Sequence, residues 1–236
     1  MAARKKKKVK VDFDDEDSVL GEMARALDID PDELKIKESH LGHFGAGTVY
    51  EITIRGGGHK EWNVVADEDA AHELAVAIVK QDLEEEPGNF EPSFIEQHIN
   101  TDRLARDLHY DVLPMREEDL RDMASRRPDD FWSEYESEGF DAPEEDEEGE
   151  RREPEDSEIE ELAERQTEEQ LKDPIAYLED IYGKKDAIKK AIEIAGIDEE
   201  AAAEEAVNAD GEGHFLSSYD SNTETTDSGL VYWRVN

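Results

Sequence analysis

Serine, histidine and aspartate fall within one short stretch near the C-terminus, Asp210-Gly211-Glu212-Gly213-His214-Phe215-Leu216-Ser217-Ser218-Tyr219-Asp220, and these are the side chains of a nucleophilic hydrolase. Adjacency in sequence argues against that chemistry, because triads assemble from distant segments and need an oxyanion site. Read as a strand, the stretch sets His214, Leu216 and Ser218 opposite Phe215, Ser217 and Tyr219, which separates His214 from Ser217. His40-Leu41-Gly42-His43 offers two imidazoles at a spacing that some metal sites use, yet no cysteine completes the set. Gly42, Gly45 and Gly47 precede a strand as a phosphate-covering loop does, but the strand before the loop and the P-loop lysine are missing, and a flexible loop accounts for them. Carboxylates are so abundant that no acid–base pair stands out. Residues 141–150 lack the Asp/Asn alternation, turn glycine and terminal glutamate of an EF-hand. The residues therefore point to no catalytic group, metal ligand or cofactor site, and the chain reads as non-enzymatic.

The charge pattern is the stronger signal. Among 236 residues, 66 Asp and Glu outnumber 27 Lys and Arg, for a formal net charge of -39. Such a field repels nucleic acid, phosphate-rich ligands and anionic membrane surfaces, and attracts basic protein surfaces, including grooves that hold DNA phosphates. Salt tolerance is the alternative use of so acidic a surface, although the even division between lysine and arginine speaks against a halophile. Zero cysteines exclude disulfides, thiolate zinc sites and cysteine nucleophiles and fit a reducing cytoplasm. No apolar run approaches the roughly 18 residues of a membrane span, and the charged start leads into no hydrophobic signal core. The basic island Arg4-Lys5-Lys6-Lys7-Lys8-Val9-Lys10 reads as a mobile terminus pairing with the protein's own acids, with a nuclear-import signal as the alternative.

These side chains must be carried by a chain that is 36% hydrophobic and 39% charged, with a mean hydropathy of -0.88, so folded blocks separated by solvated ones are expected. Val19, Leu20, Met23 and Leu27 share one helical stripe, and Asp30-Pro31-Asp32-Glu33 caps a second short turn. Residues 47–54 alternate, a glycine turn follows at 55–60, and Glu61-Trp62-Asn63-Val64-Val65 completes a predicted β-hairpin. Asp67 caps a helix with Ala71, Leu74, Ala75, Ile78, Val79 and Leu83 on its buried stripe. Helices are predicted over 92–99, 102–112, 117–124 and 129–138, with Phe94, Leu104, Leu108, Leu120, Phe131 and Trp132 toward the core. After an acidic linker or loop at 141–156, Ser157 and Glu160 have capping-box spacing for a helix through Leu171. Further helices are expected from Asp173-Pro174 to Gly183, over 184–195 and over 198–208, then strands over 211–220 and 229–235. The organisation is a disordered charged tail at 1–16, an α+β domain at 17–140, the acidic linker at 141–156, and a helical segment with terminal strands at 157–236 packing on the first part.

The segment Gly211-Glu212-Gly213-His214-Phe215-Leu216-Ser217-Ser218-Tyr219-Asp220, followed by Val231-Tyr232-Trp233-Arg234-Val235-Asn236, resembles the C-terminus of small acidic proteins encoded by tailed bacteriophages. Glu61-Trp62-Asn63-Val64-Val65-Ala66, the acidic helix from Asp67 and Asn89-Phe90-Glu91-Pro92-Ser93-Phe94 look like the same proteins, with residues 141–169 as an insertion. The resemblance implies a viral origin and a role inside the host cell, and it carries no active-site residues. The expected fold is α+β, a small antiparallel sheet with several packed helices. If the terminal strands join the hairpin, the chain closes on itself. The expected function is a non-enzymatic phage accessory protein that binds a host or phage protein with a basic surface, in one form as a DNA mimic. A virion-associated or assembly protein, or an enzyme with an unrecognised site, is the alternative. Candidate interaction residues are Glu144, Glu145, Asp146, Glu147 and Glu148 in the acidic segment and His214, Phe215, Ser218, Tyr219 and Asp220 near the end.

Overall fold

The computed structural model describes residues 11–45, 47–56, 60–145 and 151–236; the basic island at 4–10 and part of the glycine turn lie outside them. Two compact units are resolved, one built from the N-terminal residues up to Phe90 together with Glu199–Asn236, the other from Glu91–Asp198. Among the described residues no helix is long and apolar enough to cross a membrane.

The first unit is α+β. Helix α1, Glu16–Leu27, precedes a 3-10 turn at Pro31–Glu33 whose cap, Asp30, accepts from Asp32 N as its proline-led sequence predicts. Strands β1 (Leu34–Glu38), β2 (Tyr50–Ile54) and β3 (Glu61–Val65) form an antiparallel meander, with Ile36 opposite Ile52 and Ile52 opposite Trp62. The expected hairpin is thus present as β2–β3. Helix α2, Glu68–Glu85, begins where Asp67 accepts from Ala70 N, leaving Ala71, Leu74, Ala75, Val76, Val79 and Leu83 buried; Ile78 is half-buried instead. The chain re-enters this unit with α9 (Glu199–Asp210) and α10 (Glu212–Leu216), then β4 (Glu224–Thr225) and β5 (Val231–Arg234). Strand β5 pairs antiparallel with β3, Val64 opposite Tyr232, so the terminal strand does close onto the hairpin. The sheet order is β1-β2-β3-β5-β4.

One sheet face packs Leu34, Tyr50, Ile52, Trp62, Val64 and Tyr232 against Val19, Met23 and Ala24 of α1. The opposite face is buried as well, with Val65, Val231 and Trp233 each at most 2% exposed. This two-sided burial explains why β3 and β5 read as near-continuous apolar runs rather than a clean alternation.

Residues 211–220 form no strand. Gly211 stands at φ 82 before α10, and the buried residues are Gly213 and Leu216, a helical spacing of three rather than a strand spacing of two. Short apolar runs carry either period, and here the helical one wins.

The described residues of the second unit form helices α3 (Pro92–Gln97), α4 (Thr101–Arg126), α5 (Pro128–Ser137), α6 (Asp156–Gln170), α7 (Pro174–Tyr182) and α8 (Lys184–Ala195), with one isolated antiparallel bridge between Ile99 and Ile197. The predicted break at 113–116 does not occur; α4 runs through Pro114. Proline removes one intrahelical bond and crowds the preceding turn, while Leu104, Leu108, Val112, Leu120 and Ala124 all bury along this single helix, which outweighs that loss. Ile95, not Phe94, is the buried residue of α3. The capping box of α6 lies two residues before the predicted one, at Glu155 and Glu158 instead of Ser157 and Glu160, with Glu158 accepting from Glu155 N at 2.8 Å.

Candidate functional site

The first unit carries a groove beside α2 and α9, a cavity of about 460 Å³ lined by Phe44, His72, Val76, Ala77, Lys80 and Glu84 among others. Helical periodicity places His72, Val76 and Lys80 on one face of α2, and Glu200 and Glu204 meet them from α9. His72 Nε2 lies 3.0 Å from Glu204 Oε2, and its Nδ1 lies 3.1 Å from Glu212 Oε1. An imidazole donates from both nitrogens only when protonated, so this geometry selects the imidazolium. The hydrogen bond to Glu204, then that to Glu212, raises the His72 pKa above its ordinary value. Lys80 Nζ contacts Glu200 Oε2 at 2.5 Å. Burial, then the neighbouring Glu84, raises the Glu199 carboxyl above the ordinary carboxylate range. Sequence reading singled out none of these residues. The spacing of His72 and Lys80 on one helix face was visible; their acidic partners, more than a hundred residues away, were not.

The C-terminal candidates are placed by α10 and the turn after it. Ser217 is buried, its Oγ donating to Asp220 Oδ1 at 2.9 Å or to Arg234 O at 2.8 Å, and Ser218 Oγ donates to Val235 O at 2.7 Å. These hydroxyls stitch the turn to the end of β5. Tyr219, 57% exposed, stacks under the Arg234 guanidinium at 3.7 Å from its ring centroid. His214 is exposed and packs edge-on against Phe215. Ser217 and Asp220 are thus brought together, but with Arg234 O as the third partner, which is a structural arrangement and not a triad geometry.

In the second unit, Phe131, Trp132 and Tyr135 of α5 bury against Ile159, Leu162 and Ala163 of α6. Trp132 Nε1 donates to Arg152 O at 2.9 Å and Tyr135 Oη to Glu161 Oε2 at 2.7 Å. Burial, reinforced by Glu161, pushes the Tyr135 phenol well above its ordinary pKa. With their apolar sides joined, the two helices turn Asp129, Asp130, Glu136, Asp156, Glu160, Glu161, Glu164 and Glu168 to solvent. Glu144 and Glu145 are exposed at the end of the preceding segment; Asp146, Glu147 and Glu148 lie outside the described residues. His40 and His43 share a 3-10 turn with ring centroids 6.2 Å apart. Among the described residues no three His, Asp or Glu side chains gather as a metal-holding group.

Protein-family models, curated proteins and solved structures were each compared with the chain, and none matches.

Proposed function

We propose that this protein is a non-enzymatic binding protein whose acidic α5–α6 surface occupies a basic groove on a partner protein, in the manner of a nucleic-acid strand. The supporting observation is the density of charge on a rigid element. Over its 15 residues, about 22 Å of helix at 1.5 Å per residue, α6 carries Asp156, Glu158, Glu160, Glu161, Glu164, Glu168 and Glu169. That is one carboxylate per about 3 Å, close to the ~3.4 Å phosphate rise of a single DNA strand. Regular charge counts as mimicry only if it is held still, and the Phe131–Trp132–Tyr135 cluster anchors the opposite side of α6. Arg165 is the one base within the helix; Arg152 and Lys172 pair with Glu158 and Glu169 at its two ends, Glu161 accepts from Tyr135 and Glu164 faces His109 at 3.2 Å, which leaves Glu160 and Glu168 most open to a partner. The phage setting rests on the C-terminal segment and belongs to the same proposal.

The test is capture from host lysate by the full chain, eluted across a salt gradient with and without duplex DNA as competitor. Nucleic-acid-binding proteins that leave at moderate salt, are displaced by DNA, and are lost with the E160Q/E164Q/E168Q variant are the expected result. Capture indifferent to both DNA and the variant would overturn the proposal.

A further inference from the structure

The exposed apolar surface of the second unit gathers at one corner. Five large apolar side chains stand at least half exposed among the described residues, and three of them, Met115 of α4 and Ile181 and Tyr182 of α7, belong to this corner. Tyr177 joins them: it lines a small hollow with Val112, Met115, Arg116, Asp119 and Gln170, and Ile181, one turn on, lies on the same face of α7. In a chain that is 39% charged, apolar groups so exposed and so close together mark a contact surface.

The charges around it fall in an order. Glu179 and Asp180 stand in the last turn of α7 with Ile181 and Tyr182 after them, Gly183 at φ 80 turns the chain, and Lys184 and Lys185 open α8. Helices α7 and α8, joined by Gly183 alone, pack on each other, so this order lies at the tip of the pair. Asp180 and Lys184 are exposed, and neither forms an ion pair among the described residues. Both helix ends carry the sign that their dipoles disfavour. The last turn of α7 holds acids and no base, and α8 begins with lysines beside Asp186 and an N-cap glycine that offers no side chain. A local preference broken with no compensation inside the chain points to a requirement outside it.

We propose that this corner is the two-fold contact of a homodimer. Acid, apolar, base becomes base, apolar, acid when inverted, so a second copy brought up about an axis at Tyr182 sets its Lys184 against Asp180 and its Asp180 against Lys184. One patch then satisfies itself, as an isologous contact requires. Each copy gives the other a cation at the C-terminal end of α7 and a carboxylate at the N-terminal end of α8, the signs those ends lack. Ile181 and Tyr182 of both copies leave water between the charges. Other occupants fit less well. A wholly acidic or wholly basic partner meets half of the patch and is repelled by the other half, and an anionic lipid surface is repelled by the net charge of -39. So few apolar side chains make a contact of the weak, transient class. It uses none of the α5–α6 carboxylates and stands or falls independently of that surface.

The experiment is sedimentation equilibrium of the full chain at about 150 mM NaCl, where the Debye length is about 8 Å and repulsion between the two net charges is largely screened. Over a concentration series reaching the millimolar range, a monomer–dimer equilibrium is expected. Asp180→Lys alone and Lys184→Glu alone each set like charges together at both symmetric contacts and weaken dimerisation at least about tenfold. Mixed in equal amounts, the two variants form a heterodimer as tight as the wild type, because each carries the sign the other lacks, and D180K/K184E in one chain regains the homodimer. Net charge alone predicts otherwise, since Asp180→Lys makes the chain less negative and would strengthen unspecific association. A wild type that stays monomeric throughout, an Asp180→Lys chain that associates more strongly, or a mixture no tighter than its components would each overturn the proposal. Both positions are exposed, and a mixture that pairs shows that both variants fold. If they did not, NMR shifts of the wild type on dilution would decide: centred on Ile181 and Tyr182 they uphold the contact, and centred elsewhere they overturn it.

Discussion

Position 213 in α10 is closed to any side chain, since a Cβ there would meet Ser221 O at 2.5 Å and Asn222 Cα at 2.8 Å, both backbone atoms. The close approach is what lets the 217–222 turn lie over α10 and hand its hydroxyls to the end of β5. Gly213→Ala is accordingly expected to destabilise the protein by about 1–3 kcal/mol, the usual cost of overpacking a site that cannot relax. Gly21, inside α1, supplies the contrast: nothing lies within 4 Å of its added Cβ and its φ is not positive. Gly21→Ala is expected to stabilise by about 0.5–1 kcal/mol through helix propensity and a less entropic unfolded chain. Urea midpoints of the two variants should move in opposite directions, and two shifts of the same sign would contradict the packing argument. Tyr135 tests a polar contact instead. Tyr135→Phe deletes the hydrogen bond to Glu161 while keeping the ring between Phe131 and Phe140, so a loss near 1 kcal/mol is expected, and a loss of several would mean that the aromatic cluster itself had rearranged.

Among elements, the clamp on His72 decides how the returning C-terminal chain is held to α2. Glu204 belongs to α9 and Glu212 to α10, so one imidazolium ties three helices together. The groups facing it from these elements are Glu73 and Lys80 on α2, Glu200 on α9 and the two clamping acids, a predominantly acidic set that favours the protonated ring. The folded pKa is raised above the ordinary 6.5. Protonation is therefore stronger in the folded state, and the stabilisation is full below about pH 6.5 and fades as pH rises through the folded value. His72→Gln should leave a stability–pH curve that no longer falls across that window, and the His72 resonance of the wild-type chain should titrate above 6.5; a value below it would dismiss the clamp. Much of this element layout was legible in the sequence. Capping aspartates at 67 and 173 and the glycine-stopped helix at 184–195 are set by local chemistry, and the hairpin by its alternation. Three things were not. Strand β1 alternates Leu34 and Ile36 with Lys35 and Lys37, a pattern fitting a charged sheet edge, but only pairing with β2 makes it a strand. Pro114 breaks a helix by propensity and survives because Val112 and Leu120, to either side of it on the same helix, are buried. Residues 211–220 carry both periods, and the backbone approach at Gly213 is a tertiary contact that no local pattern announces. The His72 groove was invisible for the same reason, because its partners come from opposite ends of the chain.

For the whole molecule the deciding quantity is the excess of 66 acidic over 27 basic residues. Many of the bases are already in use: Arg25 with Glu22, Lys37 with Glu51, Arg126 with Asp122, Arg127 with Asp130 and Lys190 with Glu193 are ion pairs. Most such pairs are exposed, where each contributes about 0–1 kcal/mol and is screened by salt. The like-charge repulsion among the remaining carboxylates is screened too, and it acts between many more partners. Salt therefore removes two opposing terms of unequal size. Raising NaCl from about 10 mM to about 150 mM shortens the Debye length from roughly 30 Å to roughly 8 Å, which leaves contact pairs at 3 Å partly intact while erasing most repulsion between separate carboxylates. The melting temperature is expected to rise over that interval, with most of the gain below about 150 mM, where specific-ion effects on apolar hydration are still small. E160Q/E164Q/E168Q lowers the repulsion in the second unit and should show a smaller salt-induced rise than the wild type. A melting temperature that falls with added NaCl would instead mean that the surface ion pairs outweigh the net charge, and that the free carboxylates on α6 are less available to a basic partner than their number implies.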